Sequence, residues 1–105
     1  MEVIVKFLAK STIWIRAFVY DKDGALVDPT TSIKLTLVDP LGVVKVDALA
    51  MTKDGTNTGI YDYYYTTLVD CAEGWWNGEV WTVDGSGDSA KSSSAEFSVE
   101  VRKGL

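Results

Sequence analysis

Residues 58–85, TGIYDYYYTTLVDCAEGWWNGEVWTVDG, hold four of the five Tyr and three of the four Trp of the chain. Tyr61, Tyr63 and Tyr65 alternate with Ile60, Asp62, Tyr64 and Thr66, and a period of two sends alternate side chains to opposite faces of a strand. The first set is assigned to the core. Beyond Gly74 a second strand places Trp76, Gly78, Val80 and Thr82 on one face and Trp75, Asn77, Glu79, Trp81 and Val83 on the other. Both faces carry aromatic surface, and the inward one is expected to be that of Trp76 and Val80. Strands this rich in Tyr and Trp can hold two sheets together, because each ring buries a large area.

The flanking segments alternate in the same way. Glu2 to Leu8 sets Val3, Val5 and Phe7 against Ile4, Lys6 and Leu8. Thr12 to Tyr20 sets Ile13, Ile15, Ala17 and Val19, the expected core side, against Trp14, Arg16, Phe18 and Tyr20. Ser32 to Val38 turns Ile33, Leu35 and Leu37 inward and Lys34, Thr36 and Val38 outward, the pattern of a strand with one buried face. Val43 to Asp47 reads as a fourth strand and Ala48 to Thr52 as a short fifth that switches sheets. Ser92 to Arg102 closes the fold with Ala95, Phe97, Val99 and Val101 inward. The expected core is Ile33, Leu35, Leu37, Tyr61, Tyr63, Trp76, Val80, Phe97 and Val99.

Turn chemistry separates these strands. Asp21-Lys22-Asp23-Gly24 and Asp39-Pro40-Leu41-Gly42 begin with an Asp that bonds its own following backbone and end in a Gly that accepts positive φ. Pro29 stops ladder pairing, Lys53 to Gly59 is dense in turn residues, and Gly85-Ser86-Gly87-Asp88 forms a tip. Thr67 to Glu73 has room for one helical turn. Leu-Val-Asp recurs at 26–28, 37–39 and 68–70 with unequal spacing, which marks strand ends and not a repeat. Seven or eight short strands with turn signals about every 8 to 12 residues predict an all-β, immunoglobulin-like two-sheet antiparallel sandwich occupying residues 1–105 as one domain.

Composition narrows the function. With 105 residues, 47% hydrophobic and 24% charged, the chain can bury a core of its own. A net charge of −5, from 15 acidic and 10 basic residues, disfavours nucleic acid, whose phosphates call for a basic patch. Lys6, Lys10 and Arg16 interrupt the N-terminal apolar segment before it could span a membrane. That segment also lacks the order of a signal peptide, so cytoplasmic synthesis is expected, with a virion, or the extracellular space for an exported parent protein, as later locations. The lone Cys71 forms no internal disulfide and reads as a small semi-buried residue, because the chain contains no His to activate it.

The Asp-x-Asp-Gly turn before Leu26-Val27-Asp28-Pro29, the strand ending in Asp39-Pro40-x-Gly42, and Thr58-Gly59-x-Tyr61-x-Tyr63 with Gly74-x-Trp76 together resemble immunoglobulin-like sandwiches of the macroglobulin type. The likeness runs from about Val19 to Phe97. The chain is also similar to small stand-alone proteins of phage and prophage structural regions. A lone Cys departs from the disulfide-bonded immunoglobulin domains, and the motifs are structural, so they carry fold and not activity.

No phosphate loop or Cys/His cluster with metal-ligand spacing is present. Asp21 and Asp23 resemble the start of a calcium loop without its later ligands, so Asp21/Asp23 and Asp84/Asp88 read as turns and no metal or cofactor is expected. Asp62 reads as a solvated outward carboxylate, with a carbohydrate site as the sharper alternative. Candidate acids and bases do not converge, so no enzyme is expected. The aromatic excess points to an interaction surface of Trp14, Phe18, Tyr20, Trp75 and Trp81, or equally to rings covered by neighbouring loops and long Lys and Arg stems, or to a parity shifted by one residue at a bulge near Gly78. The function expected first is a non-catalytic structural module, virion-associated, that self-associates or docks on other protein subunits. The alternative is a carbohydrate- or cell-surface-binding module that stacks sugars on exposed Trp.

Overall fold

The computed structural model describes residues 1–8, 12–68, 71–85 and 91–102. Among these, eight strands form two four-stranded antiparallel sheets, with no helix: β1 (Glu2–Leu8), β2 (Thr12–Phe18), β3 (Ser32–Val38), β4 (Val44–Ala50), β5 (Thr52–Lys53), β6 (Ile60–Thr66), β7 (Gly74–Asp84) and β8 (Lys91–Val101). The first sheet runs β1-β2-β6-β5 and the second β4-β3-β7-β8. With strands lettered in chain order, these are A-B-E-D facing C′-C-F-G, the strand order of an immunoglobulin-like sandwich.

Alternation sets the core as expected. Ile13, Ile15 and Ala17 of β2, Leu35 and Leu37 of β3, Trp76 and Val80 of β7 and Val101 of β8 are fully buried between the sheets. Ile33, Phe97 and Val99 are buried beside them, and Tyr61, Tyr63 and Tyr65 pack half-buried against the same cluster. The indole N–H of Trp76 donates to the Ala72 carbonyl at 2.9 Å, so the largest buried side chain leaves no unpaired donor. Tyr65 packs on that ring with centroids 6.0 Å apart. The register of β7 passes Gly78 without a slip, Leu37 lying opposite on one side and Phe97 on the other. Glycine is required there because a Cβ would overlap the Phe97 ring and lie 2.7 Å from the Thr36 carbonyl oxygen.

The turns follow the Asp-to-Gly rule. Oδ1 of Asp21 accepts the Asp23 and Ala25 amides, and Oδ1 of Asp39 accepts those of Leu41 and Val43. Gly24 and Gly42 close the two turns at the same φ of 84°. Two of the three Leu-Val-Asp ends are thus hydrogen-bond hubs, because Asp28 accepts from Lys53 Nζ (2.7 Å), Gly59 N (2.8 Å) and the Tyr61 hydroxyl (3.0 Å). The third, Asp70, lies outside the described residues, as do Ser86 to Ala90.

Three boundaries differ from expectation. β2 stops at Phe18, and Tyr20 instead forms a single bridge to Leu26. β4 and the expected fifth strand are one strand to Ala50, carried past an irregular register by Ala48 at a φ of 53°. The switch of sheets occurs at Met51, whose amide still donates to the Ile33 carbonyl of the second sheet. β5, in the first sheet, is left only two residues long. Between β6 and β7 the Cys71 amide donates to the Leu68 carbonyl at 3.0 Å; the expected helical turn over Thr67 to Glu73 falls partly on Val69 and Asp70, which lie outside the described residues.

Candidate interaction surfaces

Strand pairing places the outward residues of the first sheet in rows. Glu2, Phe18 and Ile60 form one row, Ile4, Arg16, Asp62 and Thr52 the next, and Lys6, Trp14 and Tyr64 the third. The middle row is polar at its centre and internally neutralised. Arg16 donates Nε and Nη2 to the two Asp62 oxygens, both at 2.8 Å, and reaches Asp54 at 3.2 Å. Trp14 Nε1 donates to Asp62 Oδ1 at 3.0 Å, and the guanidinium lies 5.2 Å from the Trp14 ring centroid. The hydrogen bond from Arg16 holds the Asp62 carboxyl below its ordinary range, and the same bond raises the Arg16 guanidinium.

Asp62 is therefore not a solvated carboxylate. Parity turns it outward as expected, yet it is only 8% exposed because Trp14 and Arg16 close over it. With its charge taken up inside the row, the face around it is mostly apolar at its centre and charged at its β1 edge: Ile4, Leu8 and Tyr64 are exposed at 38%, 39% and 61%, Trp14, Phe18 and Ile60 are half-buried beside them, and Glu2 and Lys6 stand exposed on β1.

The five aromatics singled out from the sequence lie on three surfaces. Trp14 and Phe18 share the first-sheet face. Trp75 and Trp81 lie on the outer face of the second sheet, six residues apart along β7 and so separated by roughly 20 Å. Tyr20 sits beyond the end of β2. On the second sheet Trp81 lies half-buried between Lys34 and Ser94, and Glu79 faces Glu96 directly across the strands. Trp75, 58% exposed, lies opposite Glu100 and beside the hydrogen-bonded pair Asn77 and Ser98. The residues that complete the first-sheet face and were not singled out are Ile4, Leu8, Ile60 and Tyr64; their signal was the shared even parity of three strands.

Two open hollows flank β6. One, of about 520 Å³, is lined by Thr52, Asp54, Asp62 and Tyr64 among others. The second, of about 330 Å³, lies at the end of the sandwich between Val43, Tyr65, Leu68, Cys71 and Trp76. Cys71 is buried in its wall. No group of three or more His, Cys, Asp or Glu side chains among the described residues is placed to hold a metal ion. Asp84, one of the carboxylates considered for calcium, accepts the Thr30 amide at 2.8 Å. No protein-family model matches the chain, and neither does any curated protein or solved structure.

Proposed function

We propose that this chain is a non-catalytic structural module that associates with a second copy of itself through the outer face of the first sheet. The observation that carries this reading is the neutralised row Ile4–Arg16–Asp62 with a mixed row on either side. A two-fold axis along the middle row would set Glu2 over Lys6 of the copy, Phe18 over Trp14 and Ile60 over Tyr64. The two flanking rows are thus complementary to each other in charge and in apolar contact, while Arg16 and Asp62 of the middle row, each already paired with the other, meet their own counterparts. Three strands of seven residues present roughly 15 × 24 Å, about 700 Å² for the two partners together, which is below the size of stable specific interfaces and implies weak, concentration-dependent association. Membership of a larger assembly such as a phage particle, and kinship to macroglobulin-type domains, rest on the turn motifs and belong to this proposal.

Sedimentation across a wide concentration range tests it. A mass that rises with concentration and falls to the monomer in Ile4→Lys, with unchanged circular dichroism, is expected. A wild type that stays monomeric at the highest soluble concentration would sink the self-association reading.

The exposure of Trp75 beside Glu100, Asn77 and Ser98 favours a second reading, a sugar-stacking platform on the other sheet. Glycan binding that quenches Trp fluorescence and disappears in Trp75→Ala would establish it.

A further inference from the structure

Among the described residues, no strand occupies the lane beside the second half of β6. β5 pairs only with Tyr61 and Asp62, whereas β6 continues to Thr66. In an antiparallel ladder, alternate residues send both backbone groups to the same side. The Ile60 carbonyl accepts from Asp54 and its amide donates to Asn57, both on the β5 side. Ile60, Asp62, Tyr64 and Thr66 share that phase, so Tyr64 and Thr66 aim their N–H and C=O groups into the lane, where no described strand meets them.

Beneath the lane lies the 330 Å³ hollow. It exists because β4 has seven residues and the strand that should cover it, β5, has two. Leu41 and Leu68 stand on its rim, exposed at 78% and 69%, the Lys45–Asp39 ion pair borders it on the β4 side, and Tyr65, Cys71 and Trp76 form an apolar lining below. Proteins blunt exposed edges with charge, proline or bulges. β4 carries Lys45, Asp47 and the Ala48 irregularity, while Tyr63 to Thr66 carries none of these.

We propose that this lane is a β-addition site for an extended segment of a partner protein, with an apolar residue at its centre. Residues opposite Thr66 and Tyr64 would exchange four backbone hydrogen bonds and point outward. The residue between them, opposite Tyr65, would enter the hollow. A folded second copy does not fit as well, because its own Tyr65 is held against its own Trp76 and cannot fill the space. This site is separate from the first-sheet face, so either can fail alone.

The probe is the peptide acetyl-Thr-Leu-Thr-Val-amide, titrated into isotope-labelled protein and followed by amide resonances. Saturable shifts and slowed exchange centred on Tyr64 and Thr66 are expected. Methylating both peptide Thr nitrogens, which face β6, should weaken binding at least about tenfold, and methylating the Leu nitrogen, which faces away, should not. Leu→Asp in the peptide should also abolish binding. Thr66→Pro removes one amide directed into the lane without touching the β2 ladder, and should weaken binding while circular dichroism stays native. The proposal is overturned if Tyr64 and Thr66 do not respond to millimolar peptide with Leu, Ile or Phe at the centre. It is equally overturned if their exchange slows with protein concentration alone, which would assign the lane to a second copy.

Discussion

Gly78→Ala isolates the contact that holds β7 and β8 in register. The new Cβ would lie 2.8 Å from Cε1 of Phe97, closer still to Cζ, and 2.7 Å from the Thr36 carbonyl oxygen. Phe97 is 8% exposed and packed in the core, so its ring has no solvent to move into at low cost. Overpacking of this kind costs about 1–3 kcal/mol, and alanine returns about 0.5–1 kcal/mol of the conformational cost of glycine in a strand. The oxygen belongs to the backbone of β3 and yields only with that strand, which puts the net loss near the upper part of the range, about 2 kcal/mol. At roughly 4–8 °C per kcal/mol the melting temperature should fall by about 10 °C. Urea titration should show a lower midpoint at an unchanged slope. Adding Phe97→Leu should recover part of the loss and leave the part due to the carbonyl, so the two changes should be non-additive. A loss below about 0.5 kcal/mol for Gly78→Ala would mean that the Phe97 ring does not occupy the space above Gly78, and the reasoning from its Cβ would fall.

Leu35→Ala, at a fully buried site, should cost about 2–5 kcal/mol in the same titration, and a near-zero change would place β3 in the wrong register. Asp62→Asn should cost about 2 kcal/mol at neutral pH by weakening charged hydrogen bonds. Because Arg16 lowers the folded carboxyl from the ordinary 3.8, its stabilisation is present above that value and lost as pH falls through the lower folded value; the variant should therefore show a flatter acid limb of stability against pH. Burial and the bond to Asp28 push the Tyr61 phenol up to about 12 from 10.0. Stability from this group is complete below 10.0 and disappears as pH rises towards 12, so tyrosinate absorbance should show a late-ionising phenol whose shift shrinks in Asp28→Ala but keeps the larger part, which is due to burial. Millimolar calcium should leave the melting temperature unchanged, since Asp21 Oδ1 already serves two amides; a clear rise would reinstate a metal site.

Local alternation was enough to read β2, β3, β6 and β8 and the faces they bury, because period two is a property of neighbouring residues. The faces of β7 were harder, since each bears Trp; what decides them is the Phe97 ring above Gly78, a contact 19 positions away in the chain. The outward turn of Asp62 was legible and its burial was not, because the covering groups, Trp14 and Arg16, come from 48 and 46 residues away. β5 could not be sized from its own residues. Its length is set by the Met51 amide, which remains tied to Ile33 in the other sheet until the chain has already crossed. The vacant lane beside β6 follows from that tie, so no motif announced it.

The interior lanes of both sheets join strands distant in the chain, and this governs how the molecule acquires its shape in time. The hairpins β1–β2, β3–β4 and β7–β8 link near neighbours and can close within microseconds, as isolated hairpins do. The ladders β2–β6 and β3–β7 unite segments such as Ile15 with Tyr63 and Leu35 with Val80, and each must repay the entropy of closing a long loop before its contacts count. Collapse of preformed hairpins onto these two central ladders is therefore the slow event, on a timescale of milliseconds to seconds. Substitutions in the Asp39-to-Gly42 turn, which closes the β3–β4 hairpin before that event, should then alter mainly the folding limb of a chevron, as should those at Ile15 or Leu35.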